Sequence, residues 1–241
     1  MKKILNLLCL SLFFLNCVNP ENKQSSDSKQ SDSKNDSDSL EGNENKQKAE
    51  IQILEIDVNK LPKGIKYNGK IKSALRWIDQ EGDNIVITTE TGQYKNPKVK
   101  HERDGYDSEL FGHHYKVSND QAVKSWTVHD YIYDCILDLD VLFIKNTLQV
   151  TDLNKNGLGE VWLMYKKVCH GDMGSYEMKI ILYEGKNKYA MRGENKVEVE
   201  PGKYYGGDYQ FDKAFNEGPE EFRDFAKKLW EKNIMQTYGE Q

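Results

Sequence analysis

Tyr176-Glu177-Met178-Lys179-Ile180-Ile181-Leu182 is the stretch that decides the architecture. Tyr176, Met178, Ile180 and Leu182 alternate with Glu177 and Lys179, the period of two that sends successive side chains to opposite faces of a half-buried strand. Leu139, Val141 and Phe143 alternate in the same way with Asp138 and Asp140. Further strands are predicted over 51–58, 71–78, 84–89, 109–117, 123–129, 160–168 and 197–199. Turn signals stand between them: Asn68-Gly69, Glu81-Gly82-Asp83, Asn156-Gly157, Glu184-Gly185-Lys186 and Pro201-Gly202. No helical period separates successive strands, which favours antiparallel pairing over βαβ units. The chain therefore reads as mainly β, α+β at most, with antiparallel sheets in a sandwich or barrel-like domain.

One helix closes the chain. Pro219 suits a first helical turn, where its missing N–H costs nothing. Phe222, Phe225, Ala226, Leu229, Trp230 and Ile234 then recur at the spacing of one helical face, which predicts an amphipathic helix packed on a sheet. Glu220 and Glu221 lie near its start and Lys227, Lys228 and Lys232 later, the order that the helix dipole prefers.

The front of the chain has a different composition. Met1-Lys2-Lys3 precedes an apolar run from Ile4 to Leu15, too short for a permanent bilayer span and suited to a signal peptide over 1–16. Residues 21–49 contain only Leu40 and Ala49 as apolar side chains and no aromatic ring, so ordering them is not offset by burial. They read as a disordered tether over 17–49, ahead of a single β-rich globular domain over 50–241. The net charge of −5 becomes −7 once Lys2 and Lys3 leave with the signal, and no basic stripe stands out, which argues against nucleic acid as a partner.

Of four cysteines, Cys9 falls in the signal and Cys17 begins the tether, which leaves Cys135 and Cys169. In an exported protein such a pair is expected to form a disulfide, the alternative being two buried thiols.

The sharpest chemical motif is Asp152-x-Asn154-x-Asn156-Gly157-x-x-Glu160. Oxygens at every second position, a Gly at the bend, the Leu158 carbonyl and Glu160 can wrap a hard cation such as Ca²⁺. The alternative is an Asx-rich turn whose side chains bond their own backbone. Since Cys135 and Cys169 flank this loop in sequence, a bridge and a cation would brace one strand–loop–strand unit. Asp79-Gln80-Glu81-Gly82 weakly echoes the motif, which raises a propeller-like repeat as a minor alternative.

Other chemistry is thinner. His113 and His114 are neighbours in a predicted strand and so face opposite ways; neither HExxH nor zinc-ligand spacing is present. GxSxG, GxxxxGK[ST] and GxGxxG are missing too, so no catalytic residue is assigned. Asp130, Asp138 and Asp172 are the acids that a glycan-acting enzyme would draw on. Tyr204, Tyr205, Asp208 and Tyr209 surround a Gly-Gly pair and offer a stacking surface for a sugar, against the alternative of rings packed under the last helix.

Three resemblances add expectations. Phe14-Leu15-Asn16-Cys17 resembles the lipobox of bacterial lipoproteins, with Asn16 where Gly or Ala is usual. It implies acylation of Cys17, palmitate among the chains, and a membrane as partner through that lipid. Val18, where some bacteria place Asp to retain lipoproteins at the inner membrane, points to the outer membrane. The loop at Asp152 resembles the calcium loops of FG-GAP and integrin-type repeats. Ile71-Lys72-Ser73-Ala74-Leu75-Arg76-Trp77, Glu160-Val161-Trp162-Leu163-Met164-Tyr165-Lys166, Cys169-His170-Gly171-Asp172 and Tyr189-Ala190-Met191-Arg192-Gly193-Glu194-Asn195 resemble a small bacterial family of surface polysaccharide biosynthesis proteins. That resemblance implies a process, not a reaction. The expected role is a non-catalytic accessory or binding module, partnered by glycan or envelope proteins. The alternatives are a periplasmic glycan-acting enzyme and a structural or adhesion lipoprotein.

Overall fold

The computed structural model describes residues 50–235. Its first sheet is a meander in the order β1 (Gln52–Leu54), β2 (Lys70–Asp79), β3 (Gly82–Glu90), β4 (Tyr106–Ser118) and β5 (Gln121–Cys135). The second contains β6 (Asp138–Phe143), β7 (Gln149–Thr151), β8 (Glu160–His170), β9 (Glu177–Glu184) and β10 (Asn187–Glu194). A ribbon of β11 (Lys196–Glu200) and β12 (Lys203–Gly206) follows, then β13 (Tyr209–Phe211). The second sheet runs β13-β10-β9-β8-β6, with β7 also paired to β8. Every pair of named strands is antiparallel, and two-residue turns join β2 to β3, β4 to β5 and β9 to β10. The short helix α1 (Lys213–Glu217) and the longer α2 (Glu220–Asn233) end the described chain.

These elements form three layers. Trp77, Val86, Leu110 and Val128 of the first sheet pack against Val161, Leu163, Tyr165 and Ile181 of the second. On the far face of the second sheet, Trp162, Met164, Ile180 and Leu182 pack against Phe222, Ala226, Leu229 and Trp230 of α2. The amphipathic helix expected from the sequence is thus the third layer, with Pro219 at its cap position just before Glu220. Strand β9 is covered on both faces rather than one, because a sheet lies on one side and a helix on the other. The propeller alternative falls. The echoing segments are turns of two packed sheets and touch directly, with Gln80 N donating to Gly157 O at 3.0 Å.

Cys135 and Cys169 form a disulfide with Cα atoms 5.9 Å apart. It joins the last residue of β5 to the end of β8, and so ties the first sheet to the second.

Candidate functional site

The loop between β7 and β8 closes on itself. Glu160 is fully buried at the start of β8, where it accepts from Leu153 N at 2.8 Å, Asn154 N at 3.2 Å and Thr151 Oγ1 at 2.5 Å. Burial pushes its carboxyl above the usual range, against these hydrogen bonds, with repulsion from Asp152 adding to the rise. Asn154 Oδ1 accepts from Asn156 N, and Asn156 Oδ1 accepts from Leu158 N, the pattern of successive Asx turns. Gly157 takes the left-handed φ of 81° that the bend needs, and its N–H donates to Asp152 Oδ2 at 3.0 Å.

Glu184, at the end of β9, completes the loop. Its Oε1 accepts from Asn154 Nδ2 at 2.6 Å and from Asn156 Nδ2 at 2.5 Å. No motif spacing could have announced this residue, which arrives from the strand next to β8. Three carboxylates, Asp152, Glu160 and Glu184, therefore surround one nine-residue turn, and Asp152 Oδ1 is buried without a hydrogen-bond partner. Hard oxygen donors around an orphaned carboxylate oxygen fit a cation such as Ca²⁺. The fit depends on the two Asn amides, since no group of three His, Cys, Asp or Glu side chains among the described residues is placed to hold a metal.

Beside the loop lies an aromatic cleft between the two sheets. Trp77, His114, Trp126 and Tyr183 stack in series, at centroid separations of 5.4, 5.0 and 4.1 Å. Asp79 holds the cleft to the loop: its Oδ2 accepts from Trp77 Nε1 at 2.9 Å and from Gly159 N at 3.0 Å. Gly159 has to be glycine, because a Cβ there would come within 2.3 Å of Trp77 Nε1. At the rim Lys116 Nζ meets Glu81 Oε2 at 2.6 Å, both side chains partly exposed. The cleft encloses about 10 Å³, room for one water molecule.

His113 and His114 do face opposite ways. His113 stacks on Phe111 at 5.6 Å and accepts or donates at Thr127 Oγ1, while His114 points between the sheets. Burial holds both imidazoles down at about 4, with Lys124 and Lys116 respectively adding repulsion.

The other candidates are dispersed. Asp130 is locked between Lys167 and Lys179, each at 2.7 Å, and Tyr165 Oη donates to it at 3.0 Å. Asp138 is exposed opposite His170 in the ladder, and Asp172 is an exposed partner of His170. Tyr204 and Tyr205 are exposed neighbours in β12 and so face opposite sides of the ribbon; Tyr204 carries Lys196 over its ring. Tyr209 instead packs on Trp230 of α2 at 5.5 Å, and Asp208 uses its carbonyl to accept from Glu194 N. The disulfide and the Asp152 loop do not brace one unit as the sequence suggested: they sit at opposite ends of β8, eleven residues long.

Cys17, the signal over 1–16 and the tether over 17–49 lie outside the described residues. Among the described residues no helix is long and apolar enough to cross a membrane. No family model, curated protein or solved structure matches the chain.

Proposed function

We propose that this chain is a lipid-anchored cell-envelope protein, held through Cys17 at the outer membrane, whose β domain serves surface-polysaccharide biosynthesis or display as a binding module. The observation that carries the reading is the Cys135–Cys169 bridge between the two sheets, since such bonds persist in exported proteins and are rare in reducing compartments. The multiple acyl chains of a processed lipoprotein hold a domain firmly at a bilayer, where one chain would not. The cleft between Trp126 and the Asp152 loop is the surface at which this reading places binding, because it combines aromatic walls with polar groups from both sheets.

Calcium belongs to the same proposal as a structural ion. Asp152, Asn154, Asn156, the Leu158 carbonyl and Glu160 would hold it, with Glu184 as a further carboxylate. When bound, the ion would supply positive charge that offsets the repulsion between Asp152 and Glu160.

The test is the lipopolysaccharide profile of a deletion strain, with complementation by the wild-type gene and by Cys17→Ser. Altered banding restored only by the acylatable form is expected. Unchanged banding would remove the polysaccharide role, and mass spectrometry showing an unmodified Cys17 sulfur would remove the anchor.

A further inference from the structure

Strand β5 is the last of the first sheet, and its outer edge is open over a short stretch. Glu109 turns its backbone towards Thr91, whose Oγ1 accepts its N–H and whose own N–H donates to its carbonyl at 3.0 Å. Tyr131, the residue opposite Glu109, is therefore not bonded to β4. By the period of two, Tyr131, His129 and Thr127 all point N–H and C=O away from the sheet. Asp130 Oδ1 takes the N–H of Tyr131 at 2.9 Å, and at the other end Ala122 N donates to Lys63 O at 2.7 Å. Ser125 is an extra residue that bulges the strand between His114 and Tyr115 of its partner. What stays open is the backbone of Thr127 and His129, both exposed, with which no strand pairs on that side among the described residues.

The second sheet extends past this edge. Trp126 stacks on Tyr183 at 4.1 Å and Asp130 meets Lys179 at 2.7 Å, which sets β5 over β9. Strand β10 is the next one outward. Its Lys188 and Arg192 stand opposite Tyr183 and Lys179, on the face turned to the first sheet, and Gln210 of β13 continues that face beside Arg192. Lys188, Arg192 and Gln210 are all exposed, as side chains on an uncovered sheet face are. Neither Lys188 nor Arg192 has an ion-pair partner among the described residues; Lys188 lies over the Tyr183 ring at 6.0 Å. Burial and then repulsion from Arg192 push the Lys188 ammonium below its ordinary value, with Asp212 and Asp130 offsetting this in part.

Edge and face together select the occupant. An open edge is matched by a chain with alternating N–H and C=O groups of its own, which a peptide has and a polysaccharide lacks. A strand laid beside β5 turns alternate side chains onto the β10 face, where acids would meet two uncommitted cations. A second copy pairing through β5 would bring only Trp126, Val128 and an Asp130 already held by Lys167 and Lys179, and so no free acid. We infer that the β5 edge and the β10 face dock an extended acidic peptide of a partner protein, added to the first sheet beside Thr127 and His129 with its acids over Lys188 and Arg192. The inference goes beyond the polysaccharide reading and does not depend on it.

The experiment is fluorescence anisotropy of a short, labelled, end-blocked peptide alternating Glu and Val, titrated with the full chain in detergent. The comparison peptides carry Gln or Lys in place of Glu. Two further forms are N-methylated at the Val or at the Glu positions, which keeps the charge and strips donors from one edge of the peptide each. Saturable binding of the Glu peptide is expected, about tenfold tighter than the Gln form, with the Lys form silent and one N-methylated form lost. Lys188→Gln and Arg192→Gln, both at exposed positions, should each weaken binding severalfold. Thr127→Pro removes an N–H that β4 does not use, a change that edge strands accept, and should abolish binding. Should that variant not fold, the N-methylated peptides test the same ladder with the protein untouched. A silent Glu peptide, equal binding of the Gln form, or undiminished binding of both N-methylated forms overturns the inference. Displacement of the peptide by alginate with Thr127→Pro still binding would give the face to an acidic polysaccharide and overturns it too. So does a dimer that forms without peptide and is lost in Thr127→Pro, which would give the edge to a second copy.

Discussion

Asp79 Oδ2 accepts the backbone N–H of Gly159 at 3.0 Å across the sandwich, so the turn after β2 and the loop before β8 are held by one carboxylate. The same side chain also accepts from Trp77 Nε1 and from Glu81 N. Asp79→Ala strands buried donors on two sheets at once. Each lost partner costs about 1–3 kcal/mol, and the loop can relax to recover part of this, so a loss of about 3 kcal/mol is expected. Urea unfolding should show a lower midpoint with an unchanged slope. A loss below about 1 kcal/mol would mean that the loop is held from elsewhere.

The two histidines of β4 make stability depend on pH in a defined window. Both are buried neutral, with values near 4 in the folded chain against 6.5 unfolded. The unfolded chain therefore binds more protons between these values, and their contribution is complete above about 6.5 and lost as pH falls towards 4. His114 alone contributes about 3 kcal/mol across that range. Thermal unfolding should weaken steadily from pH 7 to pH 4, and His113→Phe combined with His114→Phe should flatten the slope. An equally steep slope in the double variant would place the titrating groups elsewhere.

How much of this was readable in advance follows from where each signal lives. The period in Met178–Leu182 marked β9 because apolar side chains recur on one face, and the Phe222–Trp230 stripe marked α2 for the same reason. Strand β10 escaped a pattern reading, because Tyr189, Ala190 and Met191 form one buried apolar run with polar residues on either side. Strands β7 and β13, three residues each, are too short to show any period. In the candidate site, the Asp152 loop was legible because Asp152, Asn154, Asn156 and Glu160 lie within nine positions of one another. Trp77, His114, Trp126 and Tyr183 were not, because they come from four strands: pairing within the first sheet gathers the first three, and only sheet packing adds Tyr183. Lys179 read as a solvent-facing residue between Met178 and Ile180, yet Asp130 of the opposite sheet holds it between the layers.

The carboxylates around the Asp152 loop predict a response to calcium. Saturating EGTA should lower the Tm of protein purified with calcium, and added Ca²⁺ should restore it. Asp152→Ala and Glu184→Gln should each be indifferent to both treatments, because each removes a charge from the proposed site. A wild-type Tm unmoved by EGTA would leave the Asx turns, with Glu184 bonded to Asn154 and Asn156, as the whole explanation of the loop.

The inter-sheet bridge should matter most for the chain as a folded object. Closing the 34-residue separation between Cys135 and Cys169 removes entropy from the unfolded chain worth about 3–4 kcal/mol on the loop model. The Cys135→Ser and Cys169→Ser double variant should lose that amount in urea, and reduction of the wild type should lower its Tm to the same value.

Asp130 makes a further tie between the sheets, and its worth can be separated from the disulfide. Burial alone would raise its carboxyl, but the hydrogen bonds and charges of Lys167 and Lys179 bring it down to about 2. A depressed carboxylate contributes stability that is present above its unfolded value of 3.8 and lost as pH falls through about 2. The shift corresponds to about 2 kcal/mol at neutral pH. Asp130→Asn leaves two largely buried lysines sharing only Glu177, so a loss of about 2–4 kcal/mol is expected. The wild-type advantage should shrink between pH 4 and pH 2, because protonation then removes from the native chain what the substitution removes outright. An advantage that stays constant over that range would show that Asp130 acts through packing and not through its charge.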